Sequence, residues 1–297
     1  MIARSRSERA FNVLNVTCLC LVSATMLYPF LNVLAQSFSG NMAIVRGEVF
    51  LWPARFTLYG YEEIIRQNLV LRALLNSVII TVVGTSLSML LSSSCGFALS
   101  RTDLLGRKPL FLIYLLTMLF NGGLIPTFLV VRGLGLLNSL SALILPQAFI
   151  AFYMILMKNY FESISREVQE AAVIDGCNDL QIFYRVVLPL STPMLATIGL
   201  YYAVAKWNMF APAVFYLTDP RLYPIQLVLR EVVFAAQFLE VSHSEMSASE
   251  IADLAETAGA ETLSMAVVIV ATLPILALYP FLQRYFIAGI MLGSVKG

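Results

Sequence analysis

Glu170–Pro189, EAAVIDGCNDLQIFYRVVLP, is a charge-bearing interruption between two apolar runs of membrane length. Glu170, Ala171 and Ala172 precede a break at Gly176, where glycine permits a positive φ. Asn178 and Gln181 have the spacing of a helix N-cap and its reciprocal N3 partner. Leu180, Phe183, Tyr184 and Val187 then fall at i, i+3, i+4 and i+7, one face of a helix. Pro189 closes the segment and opens the next apolar run. Two short helices with an apolar face, held between spans, have the form of a knob that fits a groove on another protein. Ala171 and Ala172 allow close approach, and Glu170 offers a charge to pair or cap. The plainer alternative is a cytoplasmic loop of ordinary helix propensity.

The surrounding chain fixes the class. It has 297 residues, 59% hydrophobic and 12% charged, where a soluble domain is nearer a quarter charged. That is an all-α polytopic membrane protein. A net charge of +1 gives no case for nucleic acid. Cys18, Cys20, Cys95 and Cys177 have no metal-ligand or disulfide spacing and read as small packing residues. There is no Walker A pattern and no H-E-x-x-H, and the single histidine, His243, lies in a polar loop. No catalytic or metal-ligating set is expected. If transport is energised, another chain must bind the ATP.

A span needs about 20 residues free of charge. The first runs from about residue 11 to 38 behind a basic flank, Arg4, Arg6 and Arg9. A signal peptide is the rival, because Val33-Leu34-Ala35 resembles a cleavage site, but the apolar stretch exceeds the roughly 7–15 residues of a signal core. The next uncharged runs are 73–100, 109–131 and 133–157. The fifth runs from Leu188 to Ala205 and continues past Lys206 to Leu217, and the last covers 262–283. Six helical spans are predicted, since runs this long do not make a closed barrel. Gly122, Gly123, Pro126 and Pro146 are candidate hinges.

Basic residues set the orientation. With the N-terminus inside, eleven of the nineteen lysines and arginines lie inside and seven outside. The sharpest part is the short loop Arg101 to Lys108. Both termini then fall in the cytoplasm, with residues 162–189 on the same side. Residues 218–261 form an extracytoplasmic loop holding eight acids and two arginines. Within it, Pro224 to Phe238 is apolar enough to lie at the membrane surface or pack on the outer mouth. Ser242 to Glu261 is expected to be a polar helix that docks a solute-binding protein or simply a solvated cap.

Lys206-Trp207-Asn208 is the second candidate site, because an ionisable residue inside a span is a functional-site hypothesis. Lys206 lies about 25 Å along the helix from Pro189 at the usual rise per residue. It either faces the path, with Trp207 stacking on a sugar and Asn208 bonding hydroxyls, or it snorkels beside an interfacial tryptophan. A lysine facing the path would favour an acidic sugar.

The spacing E-A-A, three residues, G, nine residues, I-x-L-P is that of the EAA loop of bacterial ABC importer permeases. The present segment resembles it throughout, with Val186 in place of the usual isoleucine. The whole chain resembles the maltose-permease-like, type I branch for oligosaccharides and polysaccharides. Asn32 to Ser39 and the terminal Gly293 to Gly297 match that branch, as does Trp207-Asn208. The resemblance implies one permease domain, 1–297, in the bacterial cytoplasmic (inner) membrane. It implies ATPase coupling through Glu170, Ala171, Ala172, Gly176, Leu188 and Pro189, and a substrate path including Lys206, Trp207 and Asn208. The implied partners are a second homologous permease, two ATPase subunits and an extracytoplasmic solute-binding protein. No cofactor is held by this chain itself; ATP–Mg sits on the partner ATPase. The cargo the resemblance implies is an oligosaccharide or polysaccharide, with acidic uronates such as alginate or pectin fragments in view. Alternating access is the implied mechanism: ATP closes the ATPases, and the coupling loops carry that motion to the spans. The competing functions are an ATP-independent secondary sugar transporter, an intramembrane enzyme and a purely structural subunit. The first lacks a carboxylate relay, since all eighteen Asp and Glu fall in loops.

Overall fold

Long uncharged runs in lipid must satisfy every backbone group internally, so they form helices. The computed structural model describes residues 6–120, 122–243 and 259–293, with backbone alone at 6–7, 9–10, 236–243 and 278–293. In chain order the helices are α1 Arg6–Ser37, α2 Asn41–Val45, α3 Tyr59–Gln67, α4 Leu69–Ser100, α5 Arg107–Leu119, α6 Leu124–Gly133, α7 Ser141–Ile144 and α8 Ala151–Ser163. Then come α9 Arg166–Ile174, α10 Asp179–Ile182, a π-turn over Phe183–Val187, α11 Leu188–Leu190, α12 Thr192–Trp207, α13 Ala211–Tyr216, α14 Ile225–His243 and α15 Ala260–Gly293. Among the described residues strand pairing is limited to one isolated bridge, Ser39 with Phe56.

The chain forms two units, one of residues 1–70 and 229–272 and the other of 71–228 and 273–297. In the first, the end of α1 is tied to the loop that follows it. The Asn32 amide donates to Val49 and Phe50 carbonyls, and Ala35, Ala43 and Val49 form a small core. The Asn41 side chain accepts from the Glu261 and Thr262 backbone N–H groups. It thereby satisfies two orphan donors at the start of α15 from a remote position. A Cβ at Gly60 would stand 2.8 Å from the Thr262 carbonyl oxygen. Only glycine lets α3 approach α15 so closely.

In the second unit α4 and α12 share a seam. Gly84 faces Lys206, Met89 faces Gly199, and the Ser92 hydroxyl meets the Tyr202 hydroxyl at 2.7 Å. Farther along α4, Asn76 donates to the carbonyls of Arg221 and Tyr223, and Ser77 accepts from Ile225 N–H. These polar side chains inside an apolar helix fasten the segment that leads into α14. Ile225, Leu227 and Val228 are buried there, so this part of the 218–261 loop packs into its unit as a helix. The expected polar helix over 242–261 and the terminal Gly293–Gly297 match fall largely outside the described residues.

Among the described residues three helical segments are long and apolar enough to cross a membrane, Phe11–Ser37, Leu69–Ser100 and Ala260–Ala277. Two bent pairs bring the count to five: α5 with α6, bent by 115°, and α10–α11 with α12, bent by 85°. The expected span over 133–157 is not one helix. Its helical parts are α7, of 4 residues, and the first half of α8, which continues to Ser163. Pro146 lies in the break, where its missing N–H and its ring stop an α-helix. Hydropathy found the apolar run and overstated its continuity.

Candidate functional site

The segment 162–189 folds as two short helices joined by a tight turn. α9 ends at Ile174, Asp175 is its C-cap, and Gly176 follows at φ +81°. Gly176 N–H donates to Val173 O and Cys177 N–H to Ala172 O, at 3.0 and 2.9 Å. That pair of bonds is a Schellman motif, which needs a residue in the left-handed region at this position. Asn178 then caps α10. Its side chain accepts from Gln181 N–H at 2.8 Å, and Gln181 accepts from Asn178 N–H at 2.9 Å. The expected reciprocal cap is present. Asn178→Ala should cost about 1 kcal/mol locally, seen as roughly fivefold faster amide hydrogen exchange across Asp179–Ile182. Unchanged exchange would mean that packing alone holds the turn.

The expected apolar face is corrected. Phe183 and Val187 are buried, but Leu180 and Tyr184 are exposed, while Ile182 is fully buried. The face that packs inward is the one carrying Ile182 and Phe183, and a π-turn follows it. Leu188 N–H bonds Phe183 O, five residues back, so the extra residue rotates the later part of the face. Pro189 supplies no N–H to the ladder that the π-turn interrupts. Ala172, Ile182, Phe183 and Val187 join Phe97 of α4, Met157 and Phe161 of α8, and Ile198 and Tyr202 of α12 in one core. Phe97 and Phe183 have ring centroids 5.0 Å apart. Leu188 is partly buried against this core, and Pro189 is exposed.

The opposite side is bare. Glu170, Ala171 and Gly176 are exposed, with Val173, Leu180, Tyr184 and, at 86%, Ile174. Of the E-A-A triplet only Ala172 is buried. Several large apolar side chains exposed within one short segment are a candidate interaction surface. Behind α9 lies a cavity of about 360 Å³ lined by Arg101, Arg107, Glu162, Arg166, Gln169 and Glu170 among others.

Lys206, Trp207 and Asn208 close α12. Lys206 is only 3% exposed, its ammonium covered by the chain itself. Its Nζ donates to the Gln147 carbonyl at 2.9 Å and the Ile144 carbonyl at 3.4 Å. These oxygens sit at the break around Pro146. The lysine thus satisfies carbonyl acceptors on backbone that the proline leaves outside helix, and it does not project into open space. Trp207 is 5% exposed, so its ring is covered. Asn208 is exposed, and its Oδ1 accepts from Gln226 Nε2 at 3.5 Å. Sequence reasoning missed Gln226, Ile144 and Gln147; none carries a local signal of its role. No group of three or more His, Cys, Asp or Glu suited to a metal occurs among the described residues.

Residues 65–291 match the family model described as "Binding-protein-dependent transport system inner membrane component". The polygalacturonan/rhamnogalacturonan transport system permease protein YtcP of Bacillus subtilis is 45% identical over 98% of this chain and 99% of its own. Protein LplC of the same organism is 39% identical over 99% of this chain and 97% of its own. Among solved structures, a chain of a bacterial ABC transporter involved in the import of the acidic polysaccharide alginate superposes with a TM-score of 0.84. It is 33% identical, covering 96% of this chain and 100% of that one.

Proposed function

The chain belongs to the family of binding-protein-dependent transport system inner membrane components, a membrane permease subunit of an ABC sugar importer and not itself an enzyme, and from that premise we propose that its cargo is an oligosaccharide rich in uronate. The observation that carries this reading is the agreement of two relatives. YtcP is named for polygalacturonan and rhamnogalacturonan, and the solved importer for alginate. Both names describe acidic cell-wall polymers. The ATP-independent alternative is not favoured by this company.

The family brings with it ATPase and binding-protein partners. The finer assembly is part of the proposal: a second homologous permease, two ATPases carrying ATP–Mg, and both termini in the cytoplasm. The coupling loop would seat Val173, Ile174, Leu180 and Tyr184 in an apolar cleft of the ATPase, with Glu170 at its rim. Gly176 fixes the angle between the two helices of the knob, Ala171 and Ala172 keep α9 slim, and Leu188 and Pro189 join the knob to α12. An apolar anchor with a polar rim is the usual composition of such a surface.

Alternating access then follows. Closure of the ATPases moves the knob, and the shared core through Phe183, Phe97 and Tyr202 passes that motion to α4 and α12. On the substrate path, Asn208 with Gln226 presents amides suited to sugar hydroxyls, while Lys206 and Trp207 set their position from behind.

The test is uptake by the complete importer in proteoliposomes. ATP-dependent uptake of oligogalacturonates should exceed that of neutral malto-oligosaccharides by about tenfold or more, the discrimination available to a site built for the missing polar group. Equal uptake of the two would sink the acidic-cargo reading.

A further inference from the structure

The turn between α4 and α5, residues 101–106, is short, with Arg101 at its start and Arg107 just past its end. These two arginines are committed to contacts that join the turn to other helices. Arg101 follows the last residue of α4, where a cation suits the negative end of the helix dipole. Its guanidinium reaches Asp179 at 2.9 Å, Gln169 at 3.4 Å and Asp103 at 3.4 Å. Asp179 is the first residue of α10 and Gln169 lies on α9. One side chain therefore grips both helices of the coupling knob. Arg107, the first residue of α5, donates to the Leu99 carbonyl at the end of α4 and pairs with Glu162 of α8. Glu162 is held in turn by Lys158 at 2.8 Å.

The knob is joined covalently to α8 before it and to α12 after it, but to α4 only through space. We propose that Arg101 is the positioning residue that makes α4 follow the coupling knob, so that ATPase closure is felt by the span facing Lys206 and Tyr202. The planar guanidinium suits the task because it can hold several acceptors in a fixed fork, which an ammonium cannot. Phe97 against Phe183 supplies packing a turn earlier on the same helix, and Arg101 prevents the two from sliding. Asp103 and Asp179 are largely exposed. Pairs so placed add little to folding stability, so the contribution of Arg101 is directional rather than structural.

This inference rests on the coupling-loop reading, and the experiment separates the two. The complete importer is purified in lipid nanodiscs, and ATP hydrolysis is measured without cargo or binding protein. In the intact complex the spans resist closure of the ATPases. With Arg101→Ala the knob can move while α4 stays, and cargo-free hydrolysis should rise about three- to tenfold, the range of coupling changes made by residues outside either site. Asp179→Ala should raise it similarly. The double variant should match the single ones, as two ends of one contact do. Arg101→Lys, able to hold fewer partners, should fall between wild type and alanine. The ATPases should remain bound in all four variants. Hydrolysis at the wild-type rate, multiplicative effects in the double variant, or loss of the ATPases from Arg101→Ala would each overturn the proposal. Ile174→Arg tests the docking face alone: it should strip the ATPases from the complex. If they stay bound, the docking face is wrong, and the Arg101 series still reads the link to α4.

Discussion

Gly176→Val should insert in the membrane at normal abundance and fail to transport. The backbone at this position has φ +81°, a region that costs an L-residue about 1–2 kcal/mol and a β-branched one more. Crowding is not the reason, since nothing lies within 4 Å of a Cβ built there. The penalty is conformational and is relieved by abandoning the Schellman bonds from Gly176 and Cys177 to Val173 and Ala172. α9 and α10 then lose their fixed angle, and the exposed Ile174 is no longer presented with Leu180 and Tyr184. ATP-driven uptake should fall by more than about tenfold, the size of a lost coupling of ordinary strength. The substitutions should be graded, asparagine mildest because it tolerates this region, then alanine, then valine. Uptake assays on the series check the order. A valine variant that transports as wild type would show that the turn is not the hinge of the knob.

Lys206→Met should reduce uptake through architecture and leave cargo preference as it was. Removing the ammonium strands the Ile144 and Gln147 carbonyls where no water replaces the donor. The buried Ile144 carbonyl left without a partner costs about 1–3 kcal/mol. The break at Pro146 then shifts, and with it the start of α8. Gly84→Ala should give the same phenotype from the other side, because its Cβ would stand 2.8 Å from Lys206 Cδ. The double variant should be no worse than the more severe single one. Thermal unfolding of the purified complex and the ratio of acidic to neutral oligosaccharide uptake are the two readouts. A selective loss of acidic uptake at unchanged stability would return Lys206 to direct contact with cargo.

These two residues mark what the sequence could and could not disclose. Gly176, Asn178 and Gln181 were legible because turns and caps are decided within a few residues, and each side chain type answers a local backbone demand. The E-A-A to Leu-Pro spacing likewise placed the chain in its family. Lys206 announced itself as costly, but its partners lie 59 and 62 residues away, and no local pattern names them. The same holds for Arg101, legible as a topological charge and not as a link to Asp179. Ile182 was overlooked because an apolar face through Leu180 and Tyr184 is as regular in sequence as the one that packs inward, and only tertiary contacts choose between them. The run 133–157 was counted as a span because hydropathy sums composition and is blind to where Pro146 interrupts the ladder.

The π-turn over Phe183–Val187 has a consequence for how such a permease can be altered. A π-turn holds one residue more than the α-helix it replaces, so the azimuth of the knob relative to α12 is set by a head count. Deleting one residue, Arg185 for instance, would let the ladder close as ordinary helix and swing the knob by about 100°, one residue's turn. All its contact residues would still be present, aimed elsewhere. Within these five residues the chain tolerates exchange of side chains far better than a change of length, and indels there act as a gear slipped by one tooth.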